Sequence, residues 1–187
     1  MKYRMWLSNY IRHPLQLGAL FPSSAALGSL MVKHINPNVQ GHILELGPGT
    51  GSFTRALVQK GIPANKLVLL EQSPEFTTLL QKSFPTAKVV CGNAQNLKEV
   101  ASELDINRFE HIVSGLPLTA MRPTLRHDIC NTAFTMMESG GSFVQVTYFP
   151  RCSIPNNVIT AHPARKLYSG ITLRNAPPAF VWRAEKR

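Results

Sequence analysis

A chain of 187 residues, 44% of them hydrophobic, is sized for one globular domain with a full core. No run reaches the ~18 apolar residues of a membrane-spanning helix. The basic N-terminus is not followed by a signal-type apolar stretch, so a cytoplasmic protein is expected. The formal charge of +10 lies at the two ends. Lys2, Arg4, Arg12 and Lys33 precede the first acid, Glu45; residues 45–138 hold nine basic and nine acidic side chains; beyond them seven basic residues face Glu185 alone. A neutral middle with basic flanks points to a catalytic core carried to a polyanion, either nucleic acid or an anionic membrane surface. Cys91, Cys130 and Cys152 are odd in number and far apart, which fits neither a disulfide framework nor a zinc spacing, and no metal cluster is expected.

On a helix over the first residues, Tyr3, Trp6, Leu7, Tyr10 and Ile11 share one face, and Lys2, Arg4, Ser8, Asn9, Arg12 and His13 the other. A second helix is predicted to start near Ser23 or Ser24. From residue 42 the pattern alternates. HILELG, KLVLLEQ, AKVVCGN, EHIVSGL and SFVQVTY read as strands covered on both faces. SFTRALVQKG, SPEFTTLLQKSF, NAQNLKEVASEL and RPTLRHDICNTAFTMME between them are helix-compatible, and Ser73 before Pro74 is a good helix start. SGITLRN and AFVWRAE, around Pro177 and Pro178, read as two further strands. The expectation is one α/β domain with a mostly parallel sheet. Residues 1–40 form a basic amphipathic N-terminal part, 41–150 a cofactor-binding core, and 151–187 a substrate-side loop with the terminal strands.

ELGPGTG (residues 45–51) follows the first strand and opens a helix. Its glycines allow close approach of backbone to a ligand, but the spacing of Gly47, Gly49 and Gly51 is not the dinucleotide one. A carboxylate two residues before the first glycine suits a cofactor with a cationic amino-acid head. Glu71 ends the second strand, where an acid can hold both hydroxyls of a ribose. The third strand runs into Asn93 and Ala94, where a carboxamide can meet an adenine edge. The three signals stand at successive strand ends and point at one crevice.

On these motifs, residues 40–150 resemble the class I S-adenosylmethionine-dependent methyltransferases. The resemblance implies a Rossmann-like seven-stranded sheet with helices on both faces and an antiparallel terminal hairpin. It assigns Glu45 with Gly47, Pro48, Gly49, Thr50 and Gly51 to the methionine part of S-adenosylmethionine, Glu71 to the ribose, and Asn93 with Ala94 to the adenine. Gln72, and Ser114, Gly115, Leu116 and Pro117 after the fourth strand, complete the cofactor set. Asn93 stands where Asp is more usual. Nicotinamide binding is the alternative, disfavoured by the glycine spacing and by the lack of a second domain for a hydride acceptor.

HIVSGLPLTA (residues 111–120) bears on the acceptor. Methyltransferases acting on planar amines carry Asn or Asp, prolines and an aromatic residue after the fourth strand; the stretch from Ser114 to Leu118 has neither carboxamide nor ring. An aliphatic primary amine needs neither. IVSGLPL, GALFPSSAAL (residues 18–27) and LRNAPPAFVWR (residues 173–183) resemble the bacterial phospholipid N-methyltransferases, which methylate phosphatidylethanolamine stepwise towards phosphatidylcholine. That family is a distant relative of the ribosomal RNA adenine dimethyltransferases, so adenine N6-methylation of RNA is the rival function. A non-catalytic cofactor-binding domain is a further alternative.

The expected partners are thus a phospholipid substrate and an anionic membrane surface at the inner face, with RNA under the rival reading and no obligate protein partner. Lys2, Arg4, Trp6, Tyr10 and Arg12 would lie in the headgroup region. The reaction is expected to be an in-line displacement by the amine, releasing S-adenosylhomocysteine and driven by positioning and exclusion of water. Tyr10, Ser114 and Tyr148 are candidates to orient the amine or pass on its proton. Ser23, Ser24, Tyr148, Arg151 and Arg165 are candidates for substrate contact, an arginine for the lipid phosphate. His127 and Asp128 are expected to be solvated.

Overall fold

The computed structural model describes residues 23–175 and 177–187. Helix α1 (Ala25–Val32) starts at Ser24, whose hydroxyl caps the Leu27 N–H at 3.2 Å. The core then alternates through β1 (Ile43–Leu46), α2 (Ser52–Gln59), β2 (Leu67–Glu71), α3 (Pro74–Ser83) and β3 (Lys88–Cys91). It continues with α4 (Leu97–Glu103), β4 (Phe109–Ser114), α5 (Pro123–Thr135) and β5 (Met137–Thr147). A short α6 (Asn156–Ala161) precedes β6 (Ala164–Thr172) and β7 (Ala179–Lys186). Ser73 caps α3 from its side chain, with Pro74 in the first turn, as its sequence predicts.

The strands form a single seven-stranded sheet in the order β3-β2-β1-β4-β5-β7-β6. Strands β1 to β5 are mutually parallel, and β7 runs antiparallel to both of its neighbours, β5 and β6. Every residue of β1 and β2 is buried, because helices cover both faces. Alternation along the strands therefore feeds two cores. Leu44, Leu46, Val68, Leu70 and Ile112 join Phe134 and Phe143 on the α4–α5 face. Ile43, Leu67, Leu69 and Val113 join Leu27, Met31, Phe53 and Leu57 on the α1–α2 face. Because β1 sits between β2 and β4, the connections leave it in opposite directions, and a crevice opens above its C-terminal end.

Three boundaries differ from the sequence reading. Helix α5 stops at Thr135 rather than running to residue 138, because the Phe109 N–H captures Met136 O at 2.7 Å and Met137 pairs with Phe109. Strand β5 consequently begins five residues before Ser142, and its register with β4 jumps between Phe109 and His111. The stretch after β5, expected as a substrate-side loop, contains α6. Val158, fully buried, anchors that helix, and Lys166 Nζ staples its entry through Ile154 O and Asn156 Oδ1, both at 2.6 Å.

Candidate active site

The crevice is a cleft of about 560 Å³, within the range of small-molecule sites. It is walled by the turns after β1, β2, β3 and β4 and by Met121, Leu125 and Ile129, at and before α5. Nine of the residues expected to hold the cofactor line it: Gly47, Gly49, Glu71, Gln72, Asn93, Ala94, Gly115, Leu116 and Pro117. Pro48, Thr50, Gly51, Glu45 and Ser114 do not reach its wall.

Glycine at two positions decides the shape of the floor. Gly47 has φ +66°, and a Cβ there would come within 2.8 Å of the Leu116 side chain. A Cβ at Gly115 would lie 2.8 Å from the Gly47 carbonyl oxygen. The turns after β1 and β4 thus interlock through two missing side chains. Glu71 ties the rim: Oε2 accepts the Gly49 N–H and Oε1 the Ser73 N–H, each at 2.9 Å. Each oxygen keeps a second lone pair, the number needed for two vicinal hydroxyls. Asn93 Oδ1 caps the Gln95 N–H at 2.9 Å, which leaves that oxygen one further lone pair towards an adenine amino group.

Glu45 lies beneath the glycine turn, fully buried between β2 and β4. Its Oε2 accepts the Thr54 hydroxyl at 2.7 Å, and Oε1 has no donor. Burial pushes its carboxyl up to about 7, against the opposing pull of Thr54, with Glu71 adding repulsion. An unsatisfied acceptor beside the turn is what a cationic amino-acid head would complete, so these residues fit S-adenosylmethionine.

The acceptor-side candidates fall differently. Ser114 is fully buried, and its hydroxyl braces the Leu116 N–H at 3.4 Å. Tyr148 is half-buried against the α1–α2 core. Ser24 is a cap, and its N–H donates to Asn175 Oδ1 at 3.1 Å. Arg151, Arg165 and Asp128 are exposed, and half-buried His127 pairs with Asp128 at 3.2 Å. Tyr10 and the set Lys2, Arg4, Trp6 and Arg12 lie outside the described residues.

One residue escaped the sequence reading. Gln145, fully buried on β5, donates from Nε2 to Leu116 O at 2.9 Å and to Val146 O at 2.6 Å. It brings a carboxamide under a loop that has none. The Leu116 carbonyl also accepts the Leu118 N–H at 2.8 Å, so both its lone pairs are occupied. A polar residue inside SFVQVTY, a strand covered on both faces, was the available signal.

The strand order, the crevice and the chemistry at its strand ends define a class I, Rossmann-like methyltransferase that uses S-adenosylmethionine. The chain belongs to the methyltransferase domain family, which matches residues 43–141. It is 26% identical over 185 residues to the ornithine lipid N-methyltransferase of Singulisphaera acidiphila, covering 95% of this chain and 93% of that protein. Over 86 residues it is 35% identical to the ribosomal RNA small subunit methyltransferase A of Phenylobacterium zucineum, covering 44% of this chain but 28% of that protein. Among solved structures it superposes on the T. Thermophilus 16S rRNA N2 G1207 methyltransferase in complex with AdoMet and guanosine. That match has a TM-score of 0.63 at 20% identity, over 88% of this chain and 43% of the other, and establishes the fold.

Proposed function

We propose that the enzyme methylates the aliphatic primary amine of a membrane-lipid headgroup, phosphatidylethanolamine or an amino-acid lipid. The observation that carries this reading is the end-to-end similarity to a lipid N-methyltransferase, whereas the similarity to the small-subunit RNA methyltransferase spans only 28% of that relative. The acceptor loop supports it, since residues 114–118 carry no group for a planar base.

Bound S-adenosylmethionine supplies a methyl group on a cationic sulfonium, open to in-line displacement by a neutral amine. The chain's own residues hold and dry the site. Glu71, read as the ribose ligand, and Asn93 with Ala94, read as the adenine contact, line the cleft beside Gln72, while Leu116, Met121, Leu125 and Ile129 form an apolar wall. Among the described residues that line the cleft Glu71 is the one titratable group, and it is already committed to two backbone N–H groups. An alkyl ammonium has a pKa near ~10, so about one molecule in a thousand is neutral at pH 7. A dry wall and a nearby positive charge both disfavour the ammonium and raise that fraction without a dedicated base.

The test uses purified protein and methyl-labelled S-adenosylmethionine with three acceptors: phosphatidylethanolamine vesicles, ornithine-lipid vesicles and ribosomal RNA. Mass spectrometry should find the label on a headgroup nitrogen in one or both lipid arms, which also separates the two lipids. Label confined to RNA adenine would overturn the proposal in favour of its rival.

A further inference from the structure

Of the six large apolar side chains exposed among the described residues, Val58 and Leu79 stand singly on α2 and α3, and the other four fall together. Phe149, Tyr168, Ile171 and Leu173 are 38%, 51%, 45% and 74% exposed, and they belong to the turn just after β5, to β6 or to the turn after it. Register places this group at the open end of the active site. Thr147 pairs with Phe180, and Phe180 with Ile171, so the C-terminal end of β6 lies level with the C-terminal end of β5. The cleft opens at that same end of the parallel strands.

The charge around this rim has one sign. No acidic residue occurs from 139 to 184. Of the basic side chains in that span, Arg183 pairs with Glu185 at 2.6 Å and Lys166 is tied to α6. Arg151 and Arg174 are exposed, and among the described residues neither takes part in a salt bridge. Ser24, at the start of α1, donates its N–H to Asn175 Oδ1 in the β6–β7 turn at 3.1 Å, which ties α1 to this end of the sheet.

From this juxtaposition we infer that the rim of Phe149, Arg151, Tyr168, Ile171, Leu173 and Arg174 is a bilayer-docking surface for an anionic membrane. The inference rests on the lipid reading of the site. Aromatic and aliphatic side chains enter the headgroup boundary while the arginines meet lipid phosphates. An RNA backbone would satisfy the arginines but offers little to Ile171 and Leu173. Seated this way, the protein holds the mouth of its cleft against the lipid layer, and a headgroup amine reaches the site without the lipid leaving the bilayer.

The experiment labels a Leu173→Cys variant, in a Cys91→Ser background, with an environment-sensitive fluorophore, and a Leu79→Cys variant as control. Leu79 is 42% exposed but lies on α3. Adding phosphatidylglycerol vesicles should shift the probe at 173 to the blue and expose it to brominated-lipid quenching, with no change at 79. Ile171→Glu with Leu173→Glu should weaken vesicle binding by roughly tenfold or more. Affinity for S-adenosylhomocysteine and turnover of short-chain micellar substrate should stay near wild type. A silent probe at 173 in a protein that still binds vesicles and methylates lipid would overturn the docking surface and leave the lipid reading intact. A blue shift that depends on protein concentration rather than lipid would overturn it in favour of a second copy on this face. Absence of both vesicle binding and lipid methylation, with RNA methylated instead, would remove the lipid reading and the docking surface together.

Discussion

Replacing Glu45 with Gln keeps an acceptor oxygen for the Thr54 hydroxyl and removes the titrating group beneath the glycine turn. The carboxyl has a folded-state pKa of about 7 against an ordinary 4.5, burial being the main cause. Below about pH 4.5 it is protonated in both folded and unfolded chains. Between pH 4.5 and about 7 the unfolded chain ionises first, so stability falls as pH rises and levels off above about 7. At ~1.36 kcal/mol per pKa unit, that gap is a cost of about 3 kcal/mol in the ligand-free protein at pH 8. Glu45→Gln should therefore raise the melting temperature at pH 8 by on the order of 5–10 °C, and little at pH 4.5.

Ligand binding should show the opposite preference. A cationic amino-acid head favours the ionised carboxylate, so binding at pH 6 must first expel a proton from Glu45. With a pKa of about 7, that costs roughly a factor of ten in affinity at pH 6 and almost nothing at pH 8. Calorimetric titration with S-adenosylhomocysteine should find the wild-type protein about tenfold weaker at pH 6 than at pH 8, with proton release visible as a dependence on buffer ionisation enthalpy. Glu45→Gln should lose that pH dependence and bind roughly 10- to 100-fold more weakly at pH 8, from the loss of a charge-assisted bond. Equal wild-type affinity at the two pH values, or a pH dependence that survives in the variant, would refute the reasoning.

Gly115→Ala drives a Cβ into the Gly47 carbonyl, whereas a Cβ at Gly49 meets nothing within 4 Å and pays only for φ +55°. S-adenosylhomocysteine titration should find Gly115→Ala the more damaging, with Gly49→Ala costing roughly 1–2 kcal/mol of stability. Gln145→Met leaves the Leu116 and Val146 carbonyls short of a donor, at roughly 1–3 kcal/mol. Methyl transfer should fall while product affinity stays nearly intact; equal losses in both would mean that Gln145 supports the whole crevice. In thiol titration of the native protein, exposed Cys91 should react first and Cys152 more slowly. Cys130, whose thiol burial pushes up to about 12, should react only on unfolding.

The crevice was legible because its signals are local. A glycine turn, an acid and a carboxamide each close a short apolar run, and a parallel sheet brings successive strand ends together. The terminal hairpin was legible from its two β-branched and aromatic runs, although not the insertion of β7 between β5 and β6, which no local pattern encodes. Two failures share a cause. The expected extension of α5 to residue 138 obeyed helical propensity, and pairing of Met137 with Phe109 overrode it. Helix α6 was hidden because its six residues carry no apolar period, its stability coming from buried Val158 and the Lys166 staple. Glu45 lies beneath the glycine turn rather than on the wall of the cleft. Strand alternation turns it towards α2, where Thr54, nine residues later, receives it.

The sparse loop after β4 makes physical sense once its supports are counted. A side chain that recognises an amine must itself be held in place, and a loop such as residues 114–118 cannot hold a long polar group without help. Here the holding is done from beneath. Gln145 fixes the Leu116 carbonyl, Ser114 braces the Leu116 N–H, and the close approach of Gly115 to the Gly47 carbonyl seats the loop on the cofactor turn. The Leu116 N–H and carbonyl are both spent on these supports, so the face left to the acceptor is one of shape and dryness, formed by Leu116 and Pro117. Such a face gives little to a planar base, whose edge and ring both demand partners. It suits a small ammonium, which must lose its proton before it can attack and does so more readily where neither water nor a carboxylate stabilises the charge. A carboxylate on that face would bind the ammonium better and make it a poorer nucleophile. In this reading the loop's poverty in functional groups is a condition of the chemistry rather than a gap in it.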